Sequence, residues 1–166
     1  MTLRSVEEVI RALASAQVRF IVVGGLAVNA HGYLRFTKDL DLVIRLVPDN
    51  VRATFAALST LGYRPIVPIT AEQFADDALR GRMIHEKGME VLQLYSDEHR
   101  ETPIDLFVHE PFAFDDEYER ALVKELPNAG PVRFVSIETL IRMKEAVARP
   151  EDLLDAKYLR ELLDHG

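Results

Sequence analysis

The chain contains no cysteine and no tryptophan. Without thiols there is no disulfide, no thiolate metal ligand and no cysteine nucleophile, so a reducing, cytoplasmic setting is the simplest expectation. Long apolar runs are also missing. No stretch approaches the roughly 20 residues that span a bilayer, and the opening MTLRSVEEVIRAL lacks a secretory hydrophobic segment. A soluble protein without membrane contact is expected. Positive charge is scarce: 20 Lys and Arg stand against 27 Asp and Glu, for a net charge of −7 and a pI near 5.2. That balance argues against generic binding to phosphate backbones, which needs a broad basic surface, and leaves room only for a local basic patch. Carboxylates gathered around a metal ion would make an enzyme acidic in just this way. The 166 residues, 48% hydrophobic and 28% charged, suit one globular domain spanning 1–166.

Periodicity and punctuation predict a mixed α/β (α+β) chain with about five strands flanked by helices. Ser5 and Glu8 form a capping-box pattern before Val6, Val9, Ile10 and Leu13, which recur at helical spacing. The β-branched run Phe20–Val23 ends at Gly24-Gly25, and a short helix up to Gly32 follows. Leu40–Leu46 reads as a strand and Val51–Leu61 as a helix stopped by Gly62. Thr70 with Gln73 marks another helix start, whereas Gly81 and Gly88 bracket a segment read as a loop. Met89–Tyr95 and Ile104–Val108 read as strands, Asp115–Leu126 as a helix and Val132–Val135 as a short strand. Ser136 is expected to cap a helix over Ile137–Ala148, and the last helix covers Glu151–Leu163.

Asp39 and Asp41 are the anomaly in this pattern. Aspartate is disfavoured in strands, yet the two flank Leu40 ahead of Leu42, Val43 and Ile44 and direct their side chains to one sheet face. Positions i and i+2 are about 7 Å apart at Cα. Carboxylates leaning together to ~5 Å would repel by roughly 3 kcal/mol at an effective dielectric near 20. A cation is needed, and Arg35, Lys38 or a divalent metal could supply it. Asp105, in Pro103-Ile104-Asp105-Leu106-Phe107, is a third acid inside an apolar strand. Three such carboxylates on neighbouring strands would make the oxygen cage that magnesium prefers, with positions open to phosphate and water. Each feature alone has a plainer reading: a tight turn for Gly24-Gly25, solvated and ion-paired polar-face residues for the aspartates.

Taken together, the strand, Gly24-Gly25, Asp39-Leu40-Asp41 and the later strand acid Asp105 resemble the nucleotidyltransferase superfamily with the polymerase-β-like fold. The string Gly24-Gly25-x-Ala27, His31-Gly32, Arg35, Thr37, Asp39, Asp41 is most similar to the AbiEii-type and related minimal nucleotidyltransferases, often toxins of toxin-antitoxin pairs. Lys144, Arg149, Asp152 and Asp155 resemble that family's C-terminal helical segment. The resemblance implies a nucleoside monophosphate transferred from an NTP such as ATP to a hydroxyl on a tRNA end, a protein or a small molecule. It implies Mg2+ or Mn2+ held by Asp39, Asp41 and Asp105, with Asp105 also helping to deprotonate the acceptor. Gly24 and Gly25 would line the triphosphate, Arg35, Thr37, Lys38 and Lys144 would contact the nucleotide, and a cognate antitoxin would be a partner. Two departures stand out. The helical region that extends longer AbiEii-type toxins is absent, and Glu151 stands where relatives often show lysine.

Other residues admit two readings. Lys144 is either a phosphate ligand or a surface lysine, and His31 either a ligand or a helix-end packing residue. Arg80, Arg82, His85 and Lys87 form the densest cationic segment, on the segment read as a loop near the cleft, where they either receive triphosphate or an acidic acceptor or are ordinary loop charges. Phe112 and Phe114 either stack a base or pack as a hydrophobic staple. A catalytically silent nucleotide- or partner-binding protein and a metal-dependent phosphohydrolase are the competing functional classes.

Overall fold

In the computed structural model, which describes residues 1–166, helix α1 (Leu3–Ser15) starts earlier than the Ser5 pattern suggests. Thr2 is the cap, its hydroxyl accepting the Ser5 amide hydrogen, and the helix buries Val6, Val9, Ile10 and Leu13. The chain continues through β1 (Phe20–Val23), α2 (Gly24–Ala30), β2 (Leu40–Ile44), α3 (Pro48–Ser59) and β3 (Arg64–Pro65). Next come α4 (Ala71–Ala75), α5 (Asp77–Lys87), β4 (Val91–Tyr95), β5 (Ile104–Phe107) and α6 (Phe114–Arg120). It ends with β6 (Leu122–Leu126), β7 (Gly130–Phe134), α7 (Ile137–Val147) and α8 (Pro150–His165). No helix is long and apolar enough to cross a membrane.

The strands form one mixed sheet in the order β3-β4-β5-β2-β1-β7-β6. Two pairs, β2 with β5 and β1 with β7, are parallel, and the others are antiparallel. All four residues of β1 are buried, as expected of a strand covered on both faces. The 34 buried apolar side chains make one cluster reaching from Val6 on α1 to Leu159 on α8, so both helices anchor on the sheet that carries the acids.

Seven strands replace the five expected. The two-residue β3 is too short to leave a periodic signal, and β6 lies inside the segment read as the helix Asp115–Leu126. That helix stops at Arg120, because Leu122–Leu126 folds back as a hairpin on β7 and takes its backbone hydrogen bonds there. Tertiary pairing overrides local helical propensity at this edge.

The segment between Gly81 and Gly88 is helical, not a loop. Asp76 caps α5 by accepting the Ala78 and Leu79 amides, and Gly88 ends it in the left-handed conformation with φ +61°. Gly81 is an interior helical glycine where an added Cβ meets open space. Gly81→Ala is therefore expected to stabilise the protein by about 0.5–1 kcal/mol, chiefly by restricting the unfolded chain. Chemical denaturation checks this, and an unchanged or lowered midpoint would contradict it.

Candidate active site

Asp41 and Asp105 are register partners across the parallel β2–β5 pair. Partners in register project from the same face, so a strand acid more than sixty positions away in sequence meets Asp41 directly. Asp39 stands one residue before β2 begins, at the mouth of the same recess. On the other side of Asp105 is its register partner Gln93 on β4, whose Nε2 donates to Asp105 Oδ1 at 3.1 Å.

The Asp41 carboxyl is pushed up to about 7, first by burial and then by the charges of Asp105 and Asp39, with Lys144 opposing only in part. Asp105 is raised as well, by burial first and then by Asp39, against hydrogen bonds from Gln93 and Asp41. Burial and mutual repulsion thus favour the protonated form of the pair over two bare carboxylates. The cation expected from sequence to relieve the acids is supplied by neither Arg35, which is committed to Asp155, nor Lys38, which is exposed.

The three acids also do not close into a cluster of three metal donors. What the fold presents is a desolvated pair, Asp41 and Asp105, with Asp39 beside it. Such a donor set fits magnesium, which commonly binds through one or two carboxylates and completes its octahedron with water and substrate phosphates.

Gly24 and Gly25 have a reason specific to this site. Gly24 follows Val23, the β1 partner of Asp41, and adopts φ +66°, where a Cβ would lie 2.0 Å from Asp41 Oδ2. A Cβ on Gly25 would lie 2.3 Å from Thr37 Oγ1. The glycines therefore admit Asp41 and Thr37 against the backbone, and the space that sequence reasoning reserved for phosphate is partly filled by the chain itself.

Arg35 straps the segment between α2 and β2 to the C-terminal helix. Its Nε and Nη2 donate to the two oxygens of Asp155 at 2.8 and 2.7 Å, and its Nη1 reaches Glu151 at 3.0 Å and the Phe36 carbonyl at 2.7 Å. Lys144 Nζ lies 2.9 Å from Asp155 and 3.3 Å from Asp152, and Arg149 Nε donates to Asp152 at 2.8 Å. Burial would raise the Asp155 carboxyl, but the hydrogen bonds from Arg35 and Lys144 outweigh it and hold the group below the usual carboxylate range. Lys144 is thus not a surface lysine: its side chain is only 11% exposed and is held between two acids.

All the site residues expected from sequence border one cavity of about 390 Å³, enclosed by the sheet face of Asp41 and Asp105, the strapped segment and the start of α8. Arg149 and Asp152 also border it, as does Phe36, which is 81% exposed. Nothing in the spacing of Phe36 distinguishes it from a buried aromatic. Gln93 was legible only as a polar residue inside the apolar strand VLQLY.

Other candidates lie elsewhere. His31 ends α2 and places Nε2 2.7 Å from the Val135 carbonyl, a packing contact. Arg80 is buried on α5 against Asp77 and the Phe74 carbonyl; neither it nor Arg82, His85 or Lys87 borders the cavity of the acids. Phe114 is buried and stacks on Tyr118. Ser136 precedes α7 but does not cap it, donating instead to the buried Glu117.

Among solved structures, LnuA, a lincosamide antibiotic adenylyltransferase bound to lincomycin, matches over 98% of this chain and 98% of its own, with a TM-score of 0.65 and 12% identity. The antibiotic-resistance factor ANT(2'')-Ia matches over 97% of this chain and 83% of its own, with a TM-score of 0.61 and 15% identity. The chain has the nucleotidyltransferase fold. An antigenic nucleotidyltransferase-like protein from Paracoccidioides brasiliensis shares that fold over 99% of this chain and 76% of its own, at a TM-score of 0.57 and 17% identity. No protein-family model matches the chain, and no curated protein matches it in sequence. The polymerase-β-like expectation from the glycine pair and the aspartates is met at the level of the nucleotidyltransferase fold, and the AbiEii-type subdivision is carried by the sequence resemblance alone.

Proposed function

We propose that the protein is a metal-dependent nucleotidyltransferase that moves a nucleoside monophosphate from an NTP to an acceptor hydroxyl. The observation that carries this reading is the desolvated Asp41–Asp105 pair, in register on adjacent strands and flanked by Asp39 at the mouth of a cavity. Buried acids that repel one another cost stability, and a divalent ion binding the nucleotide is the use that offsets the cost. Asp41 and Asp105 are the residues to hold Mg2+ or Mn2+, with Asp39 beside them at the mouth of the cavity. When bound, the ion would neutralise charge on the α-phosphate and the departing pyrophosphate.

The rest is done by the chain. Asp105, oriented by Gln93, accepts the proton of the attacking hydroxyl. The turn at Gly24-Gly25, with Thr37 and Lys38, receives the triphosphate, and the Arg35–Asp155 clasp holds that segment in place. Lys144 sits between Asp152 and Asp155 and adds positive charge behind the acids. In such in-line displacements, positioning and charge neutralisation supply most of the rate.

The neighbours in fold support a hydroxyl acceptor: ANT(2'')-Ia has been solved with adenylyl-2''-tobramycin and LnuA with lincomycin. The resemblance to AbiEii-type proteins extends the proposal to a cytoplasmic toxin with a cognate antitoxin, tested by growth arrest on expression and its relief by the product of the neighbouring gene. The decisive biochemical test supplies each α-labelled NTP with magnesium and cell extract. Label is expected to move to an acceptor with the wild type and to stay on the nucleotide with Asp39→Ala. Transfer unaffected by that substitution would remove the acids from the reaction.

A further inference from the structure

A second and larger cavity, of about 720 Å³, opens beside the first. The two share a wall made by Phe107 on β5 and by Met143 and Val147 on α7. Phe107 is two residues beyond Asp105 on the same half-exposed face of β5, which sets it about 7 Å further along the strand. The cavity therefore lies directly past the proposed proton acceptor, on the side away from Gly24 and Thr37.

Resting on the nucleotidyltransfer reading above, we propose that this second cavity is the acceptor site, and that its ligand is a small hydroxyl-bearing molecule with an apolar face, neutral or cationic, not a nucleic acid. The lining states the chemistry. Phe107, Pro111, Phe112 and Met143 give it an apolar floor, the composition usual for small-molecule sites of this volume. Its rim carries the exposed acids Glu90 and Asp116, with Glu117 buried beneath them, and Arg142 is the one arginine there without an acidic partner. Arg120 Nε donates to Glu117 at 3.1 Å, Arg142 Nη2 donates to the neutral Thr139 hydroxyl at 2.9 Å, and His109 Nε2 lies 2.9 Å from Glu90 Oε2. An RNA end would need a row of unpaired cations along its phosphates, where this cavity offers Arg142 against two exposed acids, and the chain as a whole carries −7.

The step balances as an ordinary substitution. A hydroxyl oxygen of the ligand reaches past Phe107 and forms a bond to the α-phosphorus, the bond from that phosphorus to the bridging oxygen breaks, pyrophosphate leaves, and the hydroxyl proton passes to Asp105.

The test uses Ala146→Trp on α7 and Ala113→Trp just before α6. Both residues are exposed and border only the second cavity, so each variant fills it from a different wall. Each α-labelled NTP is supplied in turn with magnesium and one of three acceptor pools: the ultrafiltered small-molecule fraction of a cell extract, total tRNA, or the retained protein fraction. Label is expected in the small-molecule fraction, falling about a hundredfold in both variants, while calorimetric binding of the same NTP is unchanged. Label in tRNA or protein overturns the proposal, as does small-molecule labelling that both variants leave intact. Label in no pool, with NTP still bound, overturns the nucleotidyltransfer reading itself and this site with it.

Discussion

Asp41→Asn is expected to abolish nucleotidyl transfer and, in the metal-free protein, to raise stability above pH 7. An acid whose folded value is raised leaves the fold most stable below the unfolded value and least stable above the folded one. For Asp41 the window runs from the ordinary 3.8 to about 7. Across it the unfolded chain ionises while Asp41 in the folded chain resists ionisation, so the wild type loses up to about 4 kcal/mol of stability. Asparagine does not ionise, and its amide can still donate to Asp105, so the variant escapes that loss. Urea denaturation in the presence of a chelator should show wild type and variant converging near pH 4 and separating as the pH rises to 8. Transfer should drop by about 10³-fold or more, equivalent to roughly 4 kcal/mol of lost transition-state stabilisation. Parallel pH curves would show that Asp41 titrates in the fold as it does in the unfolded chain, which contradicts the raised value.

Asp155→Ala is expected to be the most destabilising single change at the site. The residue is 1% exposed and receives Arg35 through two nitrogens and Lys144 through a third. Removing it leaves two cations without their main partner in a partly desolvated place, a loss of about 3–5 kcal/mol for buried pairs. The depressed Asp155 carboxyl contributes stability above its unfolded value that is lost as the pH falls through its folded one. The wild type should therefore weaken in acid, and the gap to the variant should narrow there. Thermal unfolding at neutral and acid pH checks both points. Arg35→Lys in the otherwise wild-type chain should cost a smaller part of that amount, because an ammonium keeps the charge but cannot make the two-pronged contact to Asp155. A variant as stable as the wild type would mean that the clasp contributes nothing to folding.

The same residues show how far the linear pattern carries. Strands β1, β2, β4 and β5 were legible because apolar, β-branched runs are punctuated by glycine, proline and aspartate. The acids were legible for the opposite reason, as residues that contradict the runs containing them. Strand β6 was hidden because its residues pair with β7, and a pairing between segments leaves no local signature. The loop assigned around Gly81 failed because a glycine was weighed above the Asp76 cap and the Gly88 stop that bracket a helix.

Lys144, Arg149 and Asp155 show the other limit. Local pattern does not set them apart from surface charges, and only the crossing of α7 and α8 with the Arg35 segment buries Lys144 and Asp155 in one network, with the largely exposed Arg149 pairing Asp152 at its edge. The acceptor cavity is of the same kind, being made where β5, α6 and α7 meet.

By itself the amino-acid order determined the chemistry at hand: a glycine pair behind a strand, three carboxylates in apolar surroundings, and no thiol to compete with them. Tertiary structure alone decided that Asp105 lies in register with Asp41, that Arg35 is committed to Asp155 and not to the pair, and that Gly24 and Gly25 make room for Asp41 and Thr37. The physical reason is range: side-chain type and short-range period act within a few residues, whereas desolvation and charge pairing depend on which segments the folded sheet sets side by side.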